Sequence, residues 1–124
     1  MTSDLNGTWQ SEFKTSSGVN IFTLSLDFVG SEPTARMHLV RPSPDPVKGR
    51  TDFDFRVSVA LRAGFLGLLA EDDADLGMNA MILKLSPDRS TLRGIIAFNN
   101  IRTNEVGEGT IEWRKCPAAK PQSR

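Results

Sequence analysis

This chain of 124 residues has no tyrosine, one cysteine and one histidine. Its longest apolar stretch falls well short of the roughly 18 residues that a helix needs to cross a bilayer. With Cys116 alone, no disulfide can form within the chain. With His38 alone, multi-histidine zinc or iron sites are excluded, and general-base chemistry is left a single imidazole. An excess of either charge is also missing: 15 basic residues balance 15 acidic ones. No global field therefore steers the protein toward nucleic acid or an anionic membrane, and the lack of tyrosine weakens any platform for stacking bases. The same neutrality leaves association into a homodimer electrostatically unopposed.

Motifs that impose a chemistry are missing too. No nucleophile elbow is written, and "GFLG" and "GEG" are too short for a phosphate-cradling loop. Glu71, Asp72, Asp73 and Asp75, with Gly77 behind them, offer hard oxygens, but counting an EF-hand from Asp73 puts Met78 and Lys84 where glycine and glutamate are required. A solvated acidic loop is the expectation there, with no metal and no cofactor. The start, "MTSDLNGTW", lacks a basic patch followed by an apolar run, so the expected location is cytoplasmic.

What the chain does have is alternation. In "TDFDFRVSVAL", Phe53, Phe55, Val57, Val59 and Leu61 take turns with Asp52, Asp54, Arg56, Ser58 and Ala60, the period of a half-buried strand. In "IFTLSLDF", Phe22, Leu24, Leu26 and Phe28 do the same. The pattern predicts strands at 7–15, 19–29, 34–41, 51–61, 64–71, 78–85, 91–100 and 107–115, separated by Gly, Pro, Ser, Asn and Asp. "PSPDPVKG" is a stiff connection, because its prolines fix backbone angles and remove amide donors. Between 61 and 71 a helical face also fits, yet Gly64 and Gly67 each weaken a helix interior by about 1 kcal/mol, which favours a strand bent at the glycines.

Eight strands with mostly short connections predict an all-β fold, an eight-stranded antiparallel up-and-down β-barrel whose closure removes unpaired edges. Residues 1–116 form this single domain, and the polar residues 117–124 form a tail. Trp9 and Trp113, on the first and last strands, become neighbours across the seam. On its strand His38 falls opposite Met37 and Leu39 and is expected in solvent.

The segment "NGTW", as Gly7, Thr8 and Trp9 on a first strand, resembles the Gly-x-Trp of the calycin superfamily, which includes lipocalin-like and avidin-like barrels. The resemblance implies a basic residue from near the last strand laid across Trp9, with Arg114 and Arg102 as candidates. It also implies a non-enzymatic barrel that binds a small, largely hydrophobic ligand in its lumen. The candidate ligand-binding residues are Trp9, Phe13, Phe53, Phe55, Arg56, Phe98 and Trp113, with Asn79, Asn99 and Arg102 as further polar groups near a mouth. The alternative is a filled barrel acting through its outer surface as a homodimer, using Ile21, Val29, Ile95 and Ala97.

Overall fold

A computed structural model describes residues 4–15, 18–28, 33–41, 49, 51–72, 77–100 and 103–117. Eight antiparallel strands follow one another in space as in sequence and close into a barrel. They are β1 (Gly7–Thr15), β2 (Gly18–Asp27), β3 (Thr34–Val40), β4 (Asp52–Arg62), β5 (Phe65–Asp72), β6 (Gly77–Leu85), β7 (Thr91–Asn100) and β8 (Glu105–Lys115). The glycine-bearing stretch is strand on both sides of a tight turn at Ala63 and Gly64, each with positive φ. Gly67 is accommodated within β5, so the bend falls at one glycine of the two. Most of the proline-bearing connection, at 42–48, and the tail at 118–124 lie outside the described residues.

Odd positions of β4, β6 and β8 and even positions of β5 and β7 point into the lumen. The register makes this consistent around the wall, for example Val59 opposite Leu68, Leu68 opposite Met81, and Leu92 opposite Trp113. One end of the barrel, here the base, carries the turns after β2, β4 and β6 together with the start of the chain. The other end, the mouth, carries the connections after β1, β3, β5 and β7. Near the base Trp9, Leu24, Leu83, Leu92 and Trp113 are fully buried and form the centre of the core.

The base is closed by the residues that lead into β1. Gly7 adopts φ +122, a conformation side chains resist, and a Cβ there would touch the Lys115 stem. The carboxamide oxygen of Asn6 accepts a hydrogen bond from the Phe28 amide at 2.7 Å, tying the entry of β1 to the end of β2. Leu5 is thereby pressed under the barrel, where its carbonyl accepts the indole N–H of Trp9 at 3.0 Å. In the turn after β6, the Ser86 and Ser90 hydroxyls and the Ser90 amide converge on Asp88 and lower its pKa to about 2.

The first and last strands do meet, but over a short ladder: Trp9 opposite Lys115 and Gln10 opposite Arg114. Where that pairing stops, the buried Ser11 hydroxyl donates to the Glu112 carbonyl at 2.7 Å and holds the seam by side chain.

Candidate functional site

Inward side chains differ in exposure around the barrel. Trp9, Leu24, Leu83, Leu92 and Trp113 are fully buried, whereas Leu61 and Leu85 at the base ends of their strands are half-buried. Farther up, Phe13, Phe22, Phe55 and Val57 pack on the core yet stay half-buried, and Phe98, at the mouth end of β7, is 40% exposed. The aromatic rings touch one another: Phe22 meets Phe13 edge-on at 5.5 Å between centroids, Phe55 at 6.4 Å and the deeper Trp113 at 6.1 Å. These half-exposed rings form the floor of a cup in the mouth half of the lumen.

Two features keep the cup from filling. Phe98 lies flat along its own wall, over Gly107, whose missing side chain gives the ring its seat; a Cβ there would overlap the ring. Gly109 is the next inward position of β8, opposite Ile96, and a Cβ there would meet nothing within 4 Å. The wall is hollow at that level.

Polar groups in the lumen have unmet bonding. The Oδ1 atoms of Asn79 and Asn20 and the indole Nε1 of Trp113 are buried without a hydrogen-bond partner among the described residues. Asn20 sits opposite Phe13 near the start of β2, and Asn79 opposite Phe98 near the start of β6. In a closed ring of eight strands β2 and β6 are diametrically opposed, so the two carboxamides face each other across the mouth half of the lumen. Buried acceptors left dry cost about 1–3 kcal/mol each, and natural folds keep few of them.

Of the residues expected to bind ligand, Phe13, Phe55 and Phe98 line this cup, and Phe53 is buried at the mouth end of β4. Trp113 lies beneath them, and Trp9 lies deeper still, as a structural plug of the base. Arg56 does not join them. Its strand position points outward, it is 61% exposed, and it pairs with Glu71, its cross-strand neighbour, at 3.4 Å. Asn99 is outside as well, accepting the Met78 amide at 2.7 Å, and Arg102 lies outside the described residues. In both β4 and β7 the alternation that puts phenylalanines inside puts these polar groups outside.

The residue over Trp9 is not Arg114, which points outward toward Glu112 at 3.5 Å. Lys115 takes that place. Its ammonium stands 5.2 Å from the Trp9 ring centroid and donates to the Asp4 carbonyl at 2.7 Å. Asp72, expected in a solvated loop, is buried as the last inward residue of β5; Asp73 and Asp75 lie outside the described residues.

Among the other hollows, which include one of about 560 Å³ beside the seam and one of about 380 Å³ on the wall by Gly94, two bear on the expected residues. One of about 420 Å³ lies at the base among Leu5, Leu61, Leu66, Leu85 and Leu92. Its rim charges satisfy each other, Arg89 meeting Asp4 at 2.8 Å. The second, about 270 Å³, lies on the outer wall beside His38. There Nδ1 contacts Asp54 Oδ1 at 2.7 Å and Nε2 contacts Asp52 Oδ1 at 3.0 Å. His38 is directly opposite Asp54 in the ladder, and alternation along β4 brings Asp52 to the same face.

Bonding to Asp54 first, and to Asp52 with it, raises the His38 pKa above 6.5 against a smaller opposing effect of burial. A raised pKa adds stability that is complete below the unfolded value and is lost as pH climbs through the folded one. That stability is therefore expected to be complete below a pH of about 6.5 and to decline as pH rises through the raised folded value. His38→Gln should flatten that slope. The three side chains are 38%, 64% and 88% exposed, so the step should stay below about 1 kcal/mol and shrink with salt. Urea midpoints from pH 5 to 9 for both proteins test it.

On the outer face of β5–β7, Leu69, Ile82 and Ile95 are exposed, with Ala80 and Ala97 between them. Ile95 and Ala97 thus lie on the expected outer surface. Ile21 is half-buried, and Val29 lies outside the described residues. Among the described residues no helix is long and apolar enough to cross a membrane. No family model, no curated protein and no solved structure matches this chain.

Proposed function

We propose that the protein is a non-enzymatic, lipocalin-like barrel that holds a small, largely hydrophobic molecule in the mouth half of its lumen. The observation that carries the reading is the floor of half-exposed inward phenylalanines in the mouth half of the lumen, with Asn20 and Asn79 at inward positions on opposite walls. Binding sites for small molecules are concave, mostly apolar, and supplied with a few polar groups that orient the guest. The cup fits this description, whereas the polar groups around the base hollow are already bonded to one another. The likeness of Gly7-Thr8-Trp9 to the calycin motif points the same way.

Gly109 supplies the test. Its φ is not positive and a Cβ there meets nothing within 4 Å, so a leucine can leave the backbone without a clash and starts toward the cup. Wild-type protein is expected to raise the fluorescence of the neutral apolar dye N-phenyl-1-naphthylamine. Gly109→Leu should melt with the wild-type profile and bind the dye at least about tenfold more weakly, a difference of about 1.4 kcal/mol. A wild type that leaves the dye dark, or a Gly109→Leu variant that binds it equally well, would overturn the reading.

A further inference from the structure

We infer that the outer face of β5, β6 and β7 is the interface of a symmetric dimer, packed against the same face of a second copy of this chain. The inference goes beyond the binding reading and is independent of what the lumen holds.

The ladder sets the outward side chains of these strands in rows. Gly67, Ile82 and Ile95 stand side by side in one row, and Leu69, Ala80 and Ala97 in the next. Ile82, Ile95 and Leu69 are exposed although large and apolar. Each strand thus carries one large and one small residue at the centre of the face, with the large one in the first row on β6 and β7 and in the second on β5. A two-fold axis lying between the rows, in the plane of the face and perpendicular to the strands, sets each row over the other row of the second copy. Every large side chain then meets a small one: Ile82 over Ala80, Ile95 over Ala97 and Leu69 over Gly67. Because the contact is isologous, each pairing occurs twice. The barrel itself does not call for the glycine. Gly67 has no positive φ, and a Cβ there would make only ordinary contacts with Ala60, at 3.7 and 3.9 Å.

Charge selects the same axis. Phe65 and Lys84 end the face toward the base, with the ammonium 5.2 Å from the ring centroid, and Glu71 and Met78 end it toward the mouth. The rotation lays the first pair over the second, so the cation of one copy gains a carboxylate and the ring gains a thioether. An axis running along β6 would instead stack Ile82 on Ile82 and set Lys84 against Lys84. Net neutrality removes any general repulsion between the copies. Strands about 4.8 Å apart offer about 400 Å² from each copy, at the low end for specific complexes, so the dimer is reversible rather than permanent.

Sedimentation equilibrium of the full-length protein tests the arrangement. Over about 5–500 μM the average mass is expected to rise from 13.6 kDa toward twice that value and no further, because an isologous contact closes at two copies. Ala80→Leu adds apolar surface but fills the seat of Ile82, and should raise the dissociation constant at least about tenfold. Combining Ala80→Leu with Ile82→Ala exchanges knob and seat on the same strand and should restore association. Both positions are exposed, so each variant should melt close to wild type. A wild type that stays monomeric throughout, or a mass that climbs past two copies, would overturn the inference. So would an Ala80→Leu protein that associates more strongly, the response of a face that is merely greasy.

Discussion

Gly94→Ala is expected to cost the barrel about 3 kcal/mol, which is among the larger effects a single methyl group can have. Gly94 sits in β7 between Leu83 of β6 and Ile111 of β8, pointing inward at the level of the core. A Cβ there would overlap the carbonyl oxygen of Ile82, lie 2.8 Å from its carbonyl carbon and reach within 3.0 Å of the Leu83 Cα. Those atoms are backbone and have no rotamer to escape into. Relief requires β6 and β7 to move apart, and that disturbs the ladder on which fully buried Leu83 and Leu92 depend. The melting temperature should drop by roughly 10 °C or more, with a matching loss in the urea midpoint. Gly109→Ala is the control: it adds the same methyl group to open space, at the inward position of β8 next to that of Ile111, and should stay within about 0.5 kcal/mol of wild type. A Gly94→Ala protein with the wild-type midpoint would mean that the two strands do not approach so closely.

The barrel is legible in the sequence because alternation is a local property. Phe53 through Leu61 declare an inside and an outside with no knowledge of any partner strand, and eight such segments joined by turns leave few arrangements other than closure. What depends on the distance between two strands is not legible. Gly94 reads as one glycine among 10, and nothing nearby in sequence announces the approach of Ile82. The pairing of His38 with Asp52 and Asp54 depends on the register between β3 and β4, which no residue of either strand declares by itself. Arg56 carries the charge expected of a mouth residue, but its alternation with Phe55 and Val57 already places it outside, and that signal is present in the sequence. Asn20 shares the face of Phe22, Leu24 and Leu26, so alternation along β2 already places it inside, and its pairing with Phe13 agrees.

The plug under the barrel leads to the second large effect. Trp9→Ala is expected to cost about 3–5 kcal/mol, as truncation of a fully buried tryptophan commonly does. Three attachments converge on this ring. Its N–H bonds the Leu5 carbonyl at 3.0 Å, its face carries the Lys115 ammonium at 5.2 Å, and that ammonium bonds the Asp4 carbonyl at 2.7 Å. Deleting the indole therefore leaves a cavity, a buried carbonyl without its donor, and a cation without its ring. Trp9→Phe separates these losses, because it keeps an aromatic surface and gives up the hydrogen bond; it should cost less, about 1–3 kcal/mol. The damage should begin at the seam. Among the described residues only two pairs join β1 to β8 there, and the Cys116 amide continues the attachment by bonding the Thr8 carbonyl at 2.8 Å. In Trp9→Phe, amide exchange at Cys116 is expected to accelerate while the amides shared by β6 and β7 keep their protection, since the paired wall away from the seam does not rest on the plug. Uniform acceleration throughout the barrel would show that the seam and the far wall open as one unit.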